Sequence, residues 1–132
     1  MSALFGENNQ SERKVKIRLL GPPEMIADGK PVVIKRKLNR ALLFYLAAQQ
    51  YPVSREELCA LFWPEESEQT ARKNLREALS RIRTETGINH LIIADGEQVS
   101  LNPAVVWVDY HELNQLISPL LSSSEMTSTI SL

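Results

Sequence analysis

The sequence of 132 residues has one cysteine, two histidines and no long apolar run, and each shortage excludes a class of protein. With Cys59 as the only cysteine, no disulfide can form within the chain, so an oxidising compartment is not indicated. No apolar run approaches the roughly 18–20 residues that a membrane-spanning helix needs. The start, MSALFGENNQSERK, lacks the basic end and apolar centre of a secretory signal. We therefore expect a cytoplasmic protein with no membrane partner.

Residues for catalysis or metal binding are equally scarce. The segment HELNQ (111–115) has Gln115 where a zinc-protease helix needs its second histidine. Cys59 lies in the helical pattern REELCALF, where a small buried residue is more typical than a nucleophile. The chain shows no glycine-rich phosphate loop, no paired buried carboxylates and no nucleophile–base pattern. We therefore predict no enzyme, no bound metal and no cofactor.

Charge is separated along the chain although the net charge is only −1. The first basic cluster is Lys30, Lys35, Arg36, Lys37 and Arg40. The second lies in TARKNLREALSRIRTETG, residues 70–87. Between them lies an acidic stretch, Glu56, Glu57, Glu65, Glu66 and Glu68. This distribution, and not the total charge, indicates a polyanionic partner.

The first third of the chain predicts a small antiparallel sheet and then a helix. KVKIRLLG (14–21) alternates polar and apolar residues, as a half-buried strand does. In EMIADGKPVVI (24–34), Asp28-Gly29 supplies the positive φ angles of a tight hairpin turn. Apolar residues recur at helical spacing from Lys37 through RALLFYLAAQQ.

Two further helices follow. Ser54 and Glu57 form a capping box, in which Ser54 bonds the amide of Glu57 and Glu57 reaches back to Ser54. That helix ends before Pro64. Either Ser67 or Thr70 begins the third helix, and Gly87 ends it as a C-terminal glycine does.

The third helix is amphipathic, with its charge outside. Wound at about 100° per residue, it places one apolar stripe towards a core. That stripe is Ala71, Leu75, Ala78, Leu79 and Ile82.

After this helix, LIIADGEQVSL (91–101) predicts a second hairpin with Asp95-Gly96 at its centre. The chain then runs extended through 105–108, and Asp109 with Glu112 has the spacing of a second helix cap. Three helices followed by a hairpin predict an α+β winged helix-turn-helix with a small N-terminal antiparallel sheet and a C-terminal β-hairpin wing. The predicted divisions are a mobile leader (1–13), the winged-helix domain (14–109), a C-terminal helix (110–120) and a disordered tail (121–132).

Four segments together resemble the N-terminal DNA-binding domain of SARP-type bacterial transcriptional activators, a winged helix of the OmpR/PhoB class. They are KRKLNRALLFYLA, VSREELCALFWPE, ARKNLREALSRIR and LNPAVVWVDYHEL. The resemblance implies sequence-specific binding of double-stranded DNA at direct repeats, with the third helix in the major groove. It also implies activation through RNA polymerase and a head-to-tail dimer on DNA. Larger members continue into a helical-repeat domain, so the chain is either a fragment or a stand-alone module.

The resemblance assigns DNA contacts by position to Lys73, Asn74, Ser80, Arg81 and Arg83. It also assigns Trp63 to a place near a phosphate, although an aromatic there also fits a core position at the helix end. In the loop WPEESEQ (63–69), it implies that Glu65, Glu66 and Glu68 face polymerase.

The helical wheel assigns the base contacts and backbone contacts partly to different residues. It predicts that Lys73, Arg76 and Ser80 face bases, with Arg81 a fourth candidate, and only the wheel selects Arg76. Arg72, Asn74 and Arg83 are expected to hold the DNA backbone. The alternative is a solvated helix face on which Glu77 and Arg81 form a surface pair. Lys35, Arg36, Lys37 and Arg40 are likewise open between a backbone phosphate contact and solvated charge beside the front sheet.

The wing departs from the family pattern. Gln98-Val99-Ser100-Leu101 stands where the family commonly has a Gly-Tyr-Arg-Leu-like run, and Asp95-Gly96-Glu97 makes the wing tip acidic. Insertion of this wing into the minor groove is therefore not expected. The competing function is a winged-helix interaction or dimerisation module that does not bind DNA.

Overall fold

The fold is built from short strands and amphipathic helices in residues 13–121, which are the residues that the structure, a computed structural model, describes. Residues 1–12 of the predicted leader and 122–132 of the predicted tail lie outside this range. The strands in this range are β1 (Val15–Arg18), β2 (Glu24–Ala27), β3 (Lys30–Val32), β4 (Val53–Ser54), β5 (Ile92–Asp95), β6 (Gln98–Leu101) and β7 (Val106–Val108). The helices are α1 (Lys37–Ala48), α2 (Arg55–Phe62), α3 (Glu68–Thr86) and α4 (Asp109–Leu121). No helix in residues 13–121 is long and apolar enough to cross a membrane.

The front sheet has the strand order β3-β2-β1-β7. The predicted hairpin between β2 and β3 is confirmed, because Asp28 and Gly29 adopt φ angles of 53° and 79°. Two successive positive φ angles are what a type I′ turn requires. The sequence predicted only an extended segment near residues 105–108. In the structure this segment is β7, which pairs in parallel with β1.

The predicted cap at the start of α4 is wrong, because both carboxylates have partners elsewhere. Asp109 Oδ1 accepts a hydrogen bond from the Leu19 amide at 2.8 Å, and Oδ2 accepts one from the Leu20 amide at 3.3 Å. Glu112 Oε1 accepts the indole N–H of Trp107 at 2.8 Å. These bonds tie α4 to the front sheet.

The capping box of α2 forms only in one direction. Ser54 Oγ accepts the amide of Glu57 at 3.0 Å, as predicted. The Glu57 side chain does not reach back, because its Oε2 accepts the Tyr45 hydroxyl at 2.7 Å. This hydrogen bond to a carboxylate is the main reason that the pKa of Tyr45 is raised. At α3, Ser67 is the N-cap, and its Oγ accepts the Thr70 amide at 3.2 Å.

The helix-turn-helix is α2 and α3, and the apolar stripe of α3 holds it to the core. All five residues predicted for that stripe are buried, and Leu75 and Ile82 are fully inaccessible. Leu42 in α1 and Leu58 in α2 belong to the same core cluster. Because this stripe is buried, the polar side of α3 faces outward.

The wing is a three-stranded sheet in the order β4-β6-β5, since β4 pairs with β6 through Val53 and Val99. Its turn differs from the prediction by one residue. Asp95 pairs with Gln98, so the two central residues are Gly96 and Glu97. Gly96 has the positive φ of 62° that this turn needs.

Replacing Gly87 with alanine is expected to destabilise the domain by about 1 kcal/mol. Gly87 ends α3 in the left-handed conformation, at φ 71°, and its amide bonds the Arg83 carbonyl at 2.9 Å. A Cβ at this position would meet no atom within 4 Å, so the loss is conformational strain alone. Urea denaturation measures it. Thr84→Ala, at an exposed position of the same helix, is the control, and an equal effect in both variants would contradict the prediction.

Candidate nucleic-acid interface

The outward side of α3 is polar and exposed, and we call four of its residues the recognition face: Lys73, Arg76, Ser80 and Arg81. Glu77 and Thr84 are also exposed on this helix. Arg72, Asn74 and Arg83 are half-buried on its flanks. The predicted separation of a buried stripe from a basic exterior is therefore confirmed for this helix.

Most basic side chains of α3 are unpaired in residues 13–121. Lys73, Arg76, Arg81 and Arg83 make no side-chain hydrogen bond or salt bridge there. In particular, the surface pair between Glu77 and Arg81 expected for a solvated face does not form. Unpaired guanidinium and ammonium groups on a rigid helix are suited to phosphates and base edges.

Arg72 differs, because carboxylates on both sides hold its guanidinium. Nη1 and Nη2 donate to the two carboxylate oxygens of Glu97 at 3.1 and 3.2 Å, a bidentate pairing. Nε donates to Glu68 Oε2 at 3.3 Å, one helical turn earlier. The sequence did not predict this contact between α3 and the wing.

The same wing tip is bound to the first turn of α2. The Arg55 amide donates to the Glu97 carbonyl and Arg55 Nε donates to the Gly96 carbonyl, both at 2.8 Å. The Glu56 amide donates to Glu97 Oε2 at 3.0 Å. The hydrogen bond from Arg72, followed by that from the Glu56 amide, lowers the pKa of Glu97. The acidic charge expected at the wing tip is therefore paired with Arg72 at Glu97, although Glu97 remains exposed.

Glu97 should make stability depend on pH in the acid range. Because its pKa is lowered on folding, its contribution is present above the ordinary value of 4.5 and is lost as pH falls through the folded-state pKa. We expect Glu97→Gln to lower the melting temperature at pH 7 and to have little effect near about pH 2. Asp95→Asn, at the same exposed turn, controls for loss of a wing carboxylate. A difference between Glu97→Gln and the wild type that stayed constant from pH 7 to pH 2 would contradict this role.

Trp63 packs at the end of α2, and its contact with a phosphate stays a prediction. It is half-buried at the end of α2, and its ring lies 6.2 Å from that of Phe62. Within residues 13–121 its indole N–H has no hydrogen-bond partner. The ring thus packs at the helix end and leaves a donor at the surface.

The acidic loop between α2 and α3 is exposed at Glu65, Glu66 and Glu68. Beside it lies an open groove of about 270 Å³, lined by Trp63, Pro64 and Glu66 among others. Cys59 is 7% exposed at this groove. Burial is the main cause that raises the pKa of its thiol, which favours the unreactive protonated form.

The first basic cluster is divided by the structure. Arg40 Nη1 donates to the Ile34 carbonyl at 2.7 Å, so Arg40 holds the entry to α1. Lys35, Arg36 and Lys37 are exposed. The Lys35 amide donates to Glu85 Oε1 at 3.2 Å, which places this segment beside the C-terminal end of α3.

No protein-family model matches the sequence, and no curated protein matches it significantly. Among solved structures, the chain is similar to Mycobacterium tuberculosis EmbR, solved in complex with a low affinity phosphopeptide. The two are 28% identical with a TM-score of 0.58, and the match covers 69% of this chain and 26% of the EmbR chain. The chain therefore spans about a quarter of the length of this neighbour. EmbR is a SARP-type transcriptional regulator and not an enzyme. The described residues thus form a winged-helix domain similar to that of a SARP-type transcriptional regulator.

Proposed function

We propose that this domain binds double-stranded DNA sequence-specifically and regulates transcription, with α3 lying in the major groove. The observation that carries the proposal is the recognition face, which presents unpaired cations on a helix anchored by its buried stripe. An α-helix fits the width of the major groove. A protein-interaction helix would instead be expected to present apolar anchors, and the recognition face has none.

Within this proposal the recognition face contacts bases and its flanks contact the backbone. Arg76 or Arg81 would donate two hydrogen bonds to guanine, and Lys73 and Ser80 would contact neighbouring base edges. Asn74, Arg83 and the indole N–H of Trp63 would hold phosphates, which fix the position of the helix in the groove. By resemblance, the binding sites are direct repeats occupied by head-to-tail dimers.

The test is selection of duplexes from a random pool, followed by fluorescence anisotropy on the enriched sequence at several salt concentrations. We expect one enriched motif, and a plot of log K against log salt with a slope several units steep. Lys73→Ala and Arg81→Ala should each weaken binding. Absence of an enriched motif, with weak binding that neither variant changes, would reject the proposal and favour a protein-interaction module.

We further propose that the acidic loop contacts RNA polymerase and that the protein is an activator. Glu65 and Glu66 are exposed and unpaired within residues 13–121, and they would repel DNA phosphates at close range. We expect Glu65→Gln with Glu66→Gln to lower transcription in a purified system while leaving DNA affinity unchanged. An unchanged transcript yield at full promoter occupancy would contradict the polymerase contact.

A further inference from the structure

The side chain of Glu97 is the point at which the wing, α2 and α3 meet. Its two oxygens accept three hydrogen bonds, two from Arg72 in α3 and one from the Glu56 amide in α2. Backbone bonds from Arg55 hold the same turn from the α2 side. From α3, the side-chain hydrogen bonds to this turn within residues 13–121 come from Arg72. The Arg72–Glu97 pair therefore joins the wing turn directly to α3, beside the core that Val99 shares with the α3 stripe.

Arg72 is poorly suited to a DNA phosphate in this arrangement. Its one positive charge lies between two carboxylates, Glu68 and Glu97, so the group of three carries a net negative charge. A phosphate approaching Arg72 would have to displace a bidentate carboxylate and would then lie beside it. Lys73, the next residue, has no carboxylate partner within residues 13–121 and is exposed.

We propose that Arg72 and Glu97 are positioning residues that set the wing turn against α3, and that Arg72 does not contact DNA. This replaces the backbone contact that the sequence suggested for Arg72. The inference rests on the proposed function, because it concerns how the interface is held for DNA. In this role the Glu97 carboxylate accepts the two hydrogen bonds that an unpaired arginine could donate to a phosphate.

A double-mutant cycle separates positioning from direct contact. Arg72→Ala and Glu97→Ala should each weaken binding to the selected duplex by roughly 3- to 30-fold, and the double variant should bind about as well as either single variant. The salt slope of Arg72→Ala should equal that of the wild type. Arg83→Ala is the matched control, because Arg83 is half-buried on the same helix and is placed against a phosphate; it should reduce the slope by about one unit. Additive losses, or a slope reduced by about one unit in Arg72→Ala, would overturn the proposal.

Hydrogen exchange gives a second measurement that needs no DNA. In Arg72→Ala the amides of β5 and β6, and that of Glu56, should exchange faster than in the wild type. Unchanged protection of the wing would overturn the proposal even if DNA binding falls. If no duplex is enriched but wing protection is lost, the proposed function fails while the pairing of wing and helix stands. Glu97→Gln, which keeps an oxygen acceptor, provides a milder variant should Glu97→Ala unfold.

Discussion

Reversing the charge at Lys73 and Arg81 together is expected to lower affinity for the selected duplex by roughly two to four orders of magnitude. Both side chains are exposed on the recognition face and unpaired within residues 13–121, so their full charge is available to DNA. Replacing both residues with glutamate would remove two attractive contacts with DNA and add repulsion from its phosphates in the same groove. Anisotropy at a fixed moderate salt concentration measures the loss, because affinities at different salt concentrations cannot be compared.

The matched control makes the same change of charge outside α3. Lys14 and Lys30 are exposed at the front sheet, and Lys14→Glu with Lys30→Glu changes the net charge by the same amount. Only a weak, screened effect on affinity is expected there. Equal losses in the two double variants would mean that total charge governs binding, and the recognition face would then have no special role.

Replacing Leu75 with alanine is expected to lower the free energy of unfolding by about 2–5 kcal/mol. Leu75 is fully buried at the centre of the α3 stripe, so truncation removes buried methyl groups and leaves a cavity. A loss of this size is a large fraction of the stability of a small domain. Urea or guanidinium denaturation followed by circular dichroism measures it.

Ser80→Ala is the control for the loss at Leu75. Ser80 lies on the same helix but is exposed, and a surface substitution of this kind usually changes stability by less than about 0.5 kcal/mol. The effects on DNA affinity should be reversed. Ser80→Ala should lower it, because Ser80 lies on the recognition face, and Leu75→Ala should not, because Leu75 does not lie there. A stable Leu75→Ala variant would mean that α3 is not anchored by its stripe.

Local periodicity predicted what depends on neighbouring residues in the chain. The buried stripe of α3 follows from helical spacing, the turn at Asp28-Gly29 follows from its φ requirements, and Gly87 ends α3 for the same kind of reason. In each case the decisive interaction spans only a few residues. The order of the helices and the wing then led to the correct fold class.

The sequence did not predict which distant residues in the chain form hydrogen bonds with the carboxylates. Glu57, Asp109 and Glu97 are all carboxylates whose partners lie at least twelve residues away in the chain. A carboxylate accepts from any donor within reach, so a local capping pattern shows only one of its options. The one sequence signal for the pairing of Glu97 with Arg72 is that Arg72 flanks the apolar stripe of α3. The distance from Arg72 to the wing depends on the fold, so the sequence does not give it. The parallel pairing of β1 with β7 was missed for the same reason.

The bonds from Asp109 to β1 have a consequence for how the domain folds. The amide of Leu19 and the carboxylate of Asp109 are 90 positions apart, and β7 pairs with β1 across a similar separation. Contacts of such long range slow folding, because a large loop must close before they form. The helix-turn-helix and wing lie inside that loop and make shorter-range contacts of their own. We infer that they can assemble early and that the front sheet closes around them afterwards. The hydrogen bonds to Asp109 are thus expected to form late in folding.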